Sequence, residues 1–142
     1  MKNLMILLIA IFFINCNNKQ NNEMTNTPLI TVIKLKSAEA ILDFEEAKKY
    51  IDLQKVFEEN SESRNIEKEW KEMLTPFYNI GNDKKFTNQF KYFNYNINEN
   101  VEGDKAKVSF EAHNKEAQVK KIIYFLDKLN DMWIVIDIHY EN

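Results

Sequence analysis

The chain has 142 residues, with 19 lysine and arginine against 22 aspartate and glutamate side chains, for a formal net charge of −3. Lysines alternate with glutamates along the sequence, so no basic cluster is available to neutralise phosphates, which argues against nucleic-acid binding. Two glycines are too few for a phosphate-binding loop, and two histidines with one cysteine supply no zinc ligand set. We therefore expect neither a metal nor any other cofactor.

The first 15 residues resemble a bacterial lipoprotein signal peptide. Lys2 precedes an uninterrupted apolar run over residues 4–14, and Cys16 follows it after a single residue, Asn15. Eleven residues of helix cover about half of a ~30 Å hydrocarbon core, so this run is too short to span a bilayer. Phe13 and Asn15 stand where such signals commonly have leucine and a smaller residue. We predict removal of residues 1–15 and lipidation of Cys16.

The alternative is an ordinary secretory signal followed by a bystander cysteine. No small-residue pair of the A-x-A kind follows the apolar run, which counts against it. Two or more acyl chains on Cys16 anchor a protein stably, so the prediction places the chain in the bacterial cell envelope, attached to the outer membrane or a periplasmic face. The lipidated protein would have no free thiol and no internal disulfide.

The rest of the chain divides into a tether and one domain. Residues 16–28 are polar and rich in asparagine, and are predicted to be a disordered tether. Residues 29–142 have the length of a single domain.

The first half of this domain has helical periodicity. Ser37 is placed to cap a helix over residues 38–51, with Asp43 as a point of interruption. Its apolar face comprises Ile41, Phe44, Ala47 and Ile51. A second helix starts near Ser61 or Ser63, pairs Glu67 with Lys71 and ends or kinks at Pro76. The apolar face of that helix comprises Ile66, Trp70, Met73, Leu74 and Phe77.

The second half alternates with period two and is rich in aromatic and β-branched residues, which predicts strands. The four predicted strands cover residues 87–98, 105–113, 118–127 and 132–140. Short polar connections at 102–104, 114–116 and 128–131 favour an antiparallel meander. Helices followed by a meander predict an α+β fold.

Residues 29–142 resemble the nuclear transport factor two-like superfamily, which includes SnoaL-like domains. The resemblance rests on residues 43–51 (DFEEAKKYI), on 103–108 (GDKAKV) and on a closing hairpin of 124–128 (YFLDK) and 132–135 (MWIV). Leu42 stands where the family commonly has glycine. The resemblance implies a cystatin-like cone, in which N-terminal helices pack on a curved, four-stranded antiparallel sheet. It implies a pocket in the cone and leaves the chemistry open.

Large aromatic residues are the candidates for lining such a pocket, with core packing as the alternative use. The candidates are Trp70, Phe77, Tyr78, Phe90, Tyr124 and Trp133.

Asp137 and His139 are the candidates for acid–base chemistry. They are two apart on the last predicted strand, and strict alternation would place them on one face with Trp133 and Val135. The alternative is that the strand emerges into water there and the two residues form a polar rim.

The sequence supports a non-catalytic, membrane-anchored binding or accessory domain, with an apolar small molecule as its expected ligand. One alternative is an enzyme of isomerase or dehydratase type that uses Asp137 and His139. Another is an interaction or immunity-type lipoprotein that meets a protein partner or a second copy through an exposed sheet face.

Overall fold

The computed structural model describes residues 26–57, 65–78 and 94–142. Within these ranges, four helices come first: α1 (Pro28–Ala40), α2 (Phe44–Ala47), α3 (Leu53–Val56) and α4 (Ile66–Tyr78). Four strands follow: β1 (Tyr95–Glu102), β2 (Lys105–Ala112), β3 (Lys121–Leu129) and β4 (Met132–Glu141). The strands form one antiparallel sheet in the order β1-β2-β3-β4. The predicted α+β fold with a four-stranded meander is confirmed.

Helix α1 begins ten residues before the predicted start. The Thr27 side chain caps it by accepting a hydrogen bond from the Ile30 amide, and Pro28 occupies the first turn. Threonine at the cap followed by proline is a strong start signal, because proline lacks only a donor that the first turn leaves unpaired. Ser37 is exposed within the helix, so its predicted role as a cap is wrong.

The helical conformation is interrupted between α1 and α2, at Leu42. Its φ of 59° lies in the left-handed region, which glycine adopts most readily. This explains why glycine is common at this position in the family that the sequence resembles. Asp43 then starts α2 by accepting a hydrogen bond from the Glu46 amide. The predicted interruption at Asp43 is confirmed, and Ile41, at 73% exposure, lies outside the core face predicted for it.

Helix α4 presents a narrower apolar face than predicted. Trp70, Leu74 and Tyr78 are buried, whereas Met73 and Phe77 are about half exposed. Asn65 accepts from the Lys68 amide and caps the helix, and the predicted Glu67–Lys71 ion pair forms at 2.5 Å. The helix continues past Pro76 to Tyr78.

The β1–β2 and β3–β4 hairpins each contain a tight turn. Gly103 adopts a φ of 63° between β1 and β2. Asn130 and Asp131 both have positive φ between β3 and β4, as a type I′ turn requires. Strand β1 runs farther than predicted, to Glu102, and the predicted strand residues 87–93 lie outside the described ranges.

A β-bulge in β4 changes which side chains reach the core. Val135 pairs with Leu126, but the next pair joins Asp137 to Phe125, so Ile136 is an extra residue. An extra residue inverts the alternation, so Asp137 and His139 lie on the face opposite Val135 and Trp133. The prediction that these four residues share a face is wrong for that reason.

The core lies between the helices and one face of the sheet, the inner face. Directly opposite residues share a face, and the buried rows on this face are Ala106–Leu126, Val108–Tyr124 and Phe110–Ile122. Val32 and Leu35 of α1 and Trp70 of α4 belong to the same core, and the Phe44 ring packs edge-on against Trp70 at 5.2 Å. Across the described ranges no helix has the length and apolarity needed to cross a membrane.

The edge of β4 that does not pair with β3 forms a short parallel bridge to residues 50–52. The Asp52 amide donates to the Val135 carbonyl at 2.8 Å, and the Val135 amide donates to the Tyr50 carbonyl at 2.9 Å. This bridge lies next to the bulge and fixes the segment between α2 and α3 to the sheet.

Replacement of Trp70 by alanine should lower the free energy of unfolding by about 3–5 kcal/mol, because it removes a fully buried indole and leaves a cavity. Met73→Ala on the same helix is the matched control, and its loss should be below about 0.5 kcal/mol because that side chain is half exposed. Urea denaturation measures both. Equal losses would contradict the burial pattern of α4.

Candidate functional site

A buried ion pair lies on α1 under the sheet. Lys36 Nζ donates to Glu39 Oε2 at 2.5 Å, one helical turn away. The Lys36 and Glu39 side chains are only 14% and 4% exposed. Charged side chains are rarely buried to this extent without a partner, so each is held in place by the other.

Two tyrosines from different elements complete what we call the interior polar cluster: Lys36, Glu39, Tyr78 and Tyr124. Tyr78 is the last residue of α4, and its ring centre lies 5.6 Å from Lys36 Nζ. Tyr124, 1% exposed in the middle of β3, meets the Phe110 ring edge-on at 5.7 Å. Tyr140 on β4 lies on the same face of the sheet as Tyr124, two residue pairs farther along the β3–β4 hairpin. It is 60% exposed, so it forms the open rim of the cluster.

The charges of the cluster follow from its contacts. Burial lowers the pKa of Lys36, but Tyr124 and Glu39 outweigh that effect, and the pKa lies well above its ordinary value. Burial raises the pKa of Tyr124 and, to a lesser degree, that of Tyr78. At neutral pH the cluster therefore presents an ammonium group paired with the Glu39 carboxylate, and two neutral hydroxyls.

This arrangement suits binding better than proton transfer. An ammonium nitrogen has no lone pair, so a lysine that stays protonated is neither a nucleophile nor a base. Neutral tyrosine hydroxyls are hydrogen-bond donors and acceptors. The cluster places hydrogen-bond donors and acceptors inside an otherwise apolar core.

The six predicted pocket residues lie in different environments in the structure. Tyr78 and Tyr124 belong to the cluster, whereas Trp70 and Trp133, at 1% and 6% exposure, are packed in the core. Phe77 is half exposed, and its ring meets that of Tyr78 edge-on at 4.8 Å. Phe90 lies outside the described residues.

Asp137 and His139 meet each other on the outer face of the sheet. His139 Nε2 lies 2.8 Å from Asp137 Oδ2, and the His139 ring contacts Phe125 edge-on at 5.1 Å. Their side chains are 45% and 59% exposed. The pair is hydrogen-bonded but solvated, and it faces away from the cluster. No three acidic, histidine or cysteine side chains of the described ranges come together as a metal site.

A second concave surface, of about 700 Å³, lies open along α4. Its described lining is Asn65, Glu67, Lys68, Lys71, Glu72, Thr75 and Pro76. Lys71 pairs with Glu67 and Lys68 with Glu72 along the helix. These i,i+4 pairs are those of a solvated helix face, so we place the functional site at the cluster instead.

Sequence reasoning missed Lys36, Glu39 and Tyr140. The helix predicted from residue 38 leaves out Lys36, and its predicted apolar face does not include Glu39. From the true start, Thr31, Leu35 and Ala38 recur at helical spacing, and Glu39 lies on the same face four residues after Leu35. A carboxylate on an apolar face, with lysine one turn before it, was the available signal.

Comparison with known proteins supports the fold. No protein-family model matches the chain, and no curated protein matches it. A crystal structure of an NTF-2-like protein of unknown function from Shewanella oneidensis MR-1 is similar, with a TM-score of 0.50 and 14% sequence identity. The similarity covers 80% of this chain and 95% of the other. The chain therefore has the nuclear transport factor two-like fold.

Replacing Lys36 alone by methionine should destabilise the protein by about 3–5 kcal/mol, because Glu39 would remain buried without its partner. The double variant Lys36→Met/Glu39→Leu should recover most of that loss, since it removes both charges and keeps the volume. Urea denaturation at neutral pH checks both. A double variant no more stable than the single variant would show that Glu39 does not depend on Lys36.

The free energy of unfolding should stay level up to about pH 10 and then fall. Lys36, Tyr78 and Tyr124 all have pKa values that are raised in the folded protein, so the unfolded chain releases these protons first as the pH rises. Tyr124→Phe should make the alkaline decline shallower. Denaturant titrations at a series of pH values measure the slope, and an unchanged slope in Tyr124→Phe would contradict the burial of that hydroxyl.

Proposed function

We propose that the protein is a lipid-anchored cell-envelope protein whose single domain binds a small, mainly apolar ligand at the interior polar cluster and catalyses no reaction. The observation that carries this proposal is the buried Lys36–Glu39 pair beside Tyr78 and Tyr124.

The energetic cost of the pair supports a binding role. Apolar residues of similar volume are often as stabilising as a buried ion pair, because both charges lose their hydration. A fold of this kind therefore does not need Lys36 and Glu39 for stability. Ionisable groups held in a core, with strongly shifted pKa values, are candidates for a functional site.

The surroundings of the cluster indicate the chemistry of the ligand. Phe110 contacts both Tyr95 and Tyr124 edge-on, so aromatic rings from β1, β2 and β3 lie next to the polar groups. Such walls suit an apolar body, and two hydroxyls beside an ammonium that Glu39 already neutralises suit one uncharged carbonyl group on it. Tyr140, exposed at the rim, marks the expected entrance.

The absence of catalysis is proposed from the protonation states. Lys36 stays protonated and the cluster tyrosines stay neutral at neutral pH, so these three side chains do not supply a base. The enzyme alternative rested on Asp137 and His139, whose side chains lie on the outer face.

The anchor is proposed from the sequence alone. Cys16 follows the apolar run 4–14 at the position where lipoprotein processing requires a cysteine. A lipid on Cys16 would hold the domain at a membrane through residues 17–25.

A second candidate is an interaction-type lipoprotein, which the outer face of the sheet favours. Lys107 Nζ lies 5.8 Å from the centre of the partly exposed Phe125 ring, and His139 contacts the same ring. An aromatic ring with a cation and a histidine beside it is a suitable anchor for a protein partner.

Native mass spectrometry of the full chain, extracted from membranes in detergent, tests the proposal. We expect the mass of residues 16–142 plus acyl groups, and a further non-covalent mass from the retained ligand. Lys36→Met/Glu39→Leu should lose the ligand and keep the acyl mass. Asp137→Asn/His139→Gln, which changes the hydrogen-bonded pair on the outer face, is the matched control and should keep both.

The outcomes separate the two parts of the proposal. An unmodified Cys16 would contradict the anchor. A wild-type protein that carries only lipid and detergent, or a double variant that keeps the ligand, would contradict binding at the cluster. A co-purified protein that the outer-face variant loses would favour the interaction-type alternative.

A further inference from the structure

Exposed apolar side chains collect at one end of the sheet. The turns after β1 and after β3 lie at this end, and the Lys128 amide donates to the Asp104 carbonyl at 2.7 Å, which ties the two turns together. Beside the turns, Val101, Leu129 and Met132 are 48%, 46% and 56% exposed. We call these three side chains and the two turns the hairpin end.

The chain enters the domain at the hairpin end. Asn26 Nδ2 donates to the Asp131 carbonyl at 2.5 Å, and α1 starts two residues later at Pro28. The Leu29 amide donates to Glu99 Oε1 on β1 at 2.9 Å, which fixes the start of α1 to the same end of the sheet. Asn26, the first described residue, therefore lies at the hairpin end.

The connection to Cys16 is short. Asn26 follows Cys16 by ten residues in the sequence, which can span at most about 35 Å when fully extended. A flexible chain of this length has a root-mean-square span of about 17 Å. A lipid on Cys16 would therefore keep Asn26, at the hairpin end, within about 35 Å of the bilayer.

Charges of both signs stand close together at this end. Lys128 Nζ lies 3.3 Å from Asp131 Oδ1, and Lys105 stands directly opposite Glu102 across the first turn. Such pairs give little net attraction to a charged surface. The contact that this end favours is apolar.

We propose that the hairpin end lies against the lipid bilayer, with Leu129 and Met132 in the interfacial layer; this inference rests on the lipid anchor proposed above. Leu129 and Met132 are opposite each other in the last pair of the β3–β4 hairpin, so both side chains enter from the same face. The interfacial layer accommodates apolar side chains while the polar turns stay among the headgroups.

This orientation has a consequence for the ligand. Strand β4 runs from Met132 at the hairpin end to Tyr140 near its other end, a distance of about 26 Å at the rise of a strand. The rim of the interior polar cluster therefore opens away from the bilayer. The domain takes its ligand from the aqueous side of the envelope.

Lipid-borne nitroxide quenching tests the orientation. Because lipid occupies Cys16, a single introduced cysteine is the one free thiol of the mature chain. Leu129→Cys and Met132→Cys report on the hairpin end. Tyr140→Cys is the matched control, since it lies on the same hairpin and is as exposed as Met132. Each lipidated variant is labelled with an environment-sensitive fluorophore and reconstituted in phosphatidylethanolamine–phosphatidylglycerol vesicles.

Vesicle flotation is measured first, and the floated fraction is used for quenching. Labels at 129 and 132 should have blue-shifted emission and be quenched at least about twofold more than the label at 140. Raising the salt from about 0.1 M to about 1 M should leave this difference unchanged, because the contact is apolar.

The contradicting outcomes are distinct. Protein that fails to float contradicts the anchor and, with it, the orientation, while ligand retention at the cluster is unaffected. Floated protein with equal quenching at all three positions overturns the orientation alone. A blue shift at 129 and 132 without quenching would mean that a second copy or a protein partner covers the hairpin end, which also overturns the proposal.

Discussion

The buried Lys36–Glu39 ion pair constrains the rest of the structure. Two opposite charges within one turn of α1 are stable in a core only if they stay together and other polar groups meet them. Tyr78 closes the cluster from the end of α4, and Tyr124 closes it from the middle of β3. Helix α1 must therefore lie between α4 and the inner face of the sheet, with the caps at Thr27 and Asn65 setting where the two helices begin.

The bulge at Ile136 determines which end of β4 contributes to the interior. Before it, Trp133 and Val135 fill the core; after it, Ile138 and Tyr140 take the inner positions and Asp137 and His139 are turned outward. Without the extra residue, a carboxylate and an imidazole would face the apolar core. The bulge thus keeps this acid–base pair in water and places the rim of the cluster at Tyr140.

The fold was largely predictable from the sequence, because period-two alternation and short polar turns are local signals. The hairpin after β3 and the helix break at Asp43 followed from such signals. The start of α1 was missed because Thr27 and Pro28 were assigned to the polar tether, and that error hid the position of Glu39 on the buried face of the helix. The bulge was not evident from the sequence, since residues 132–136 are all apolar and do not indicate which of them face the core. The burial of Trp70 and exposure of Met73 depend on how α4 is rotated against the sheet, which only tertiary packing decides.

The central claim is that Lys36 remains a charged ammonium group within the core. A heteronuclear NMR titration of the Lys36 side chain measures this most directly. We predict that Lys36 stays protonated well above pH 10.5, the ordinary lysine pKa, with its signal changing only as the protein unfolds. A Lys36 side chain that titrates at or below that value in the folded protein would contradict the claim, because burial would then outweigh the contacts with Tyr124 and Glu39.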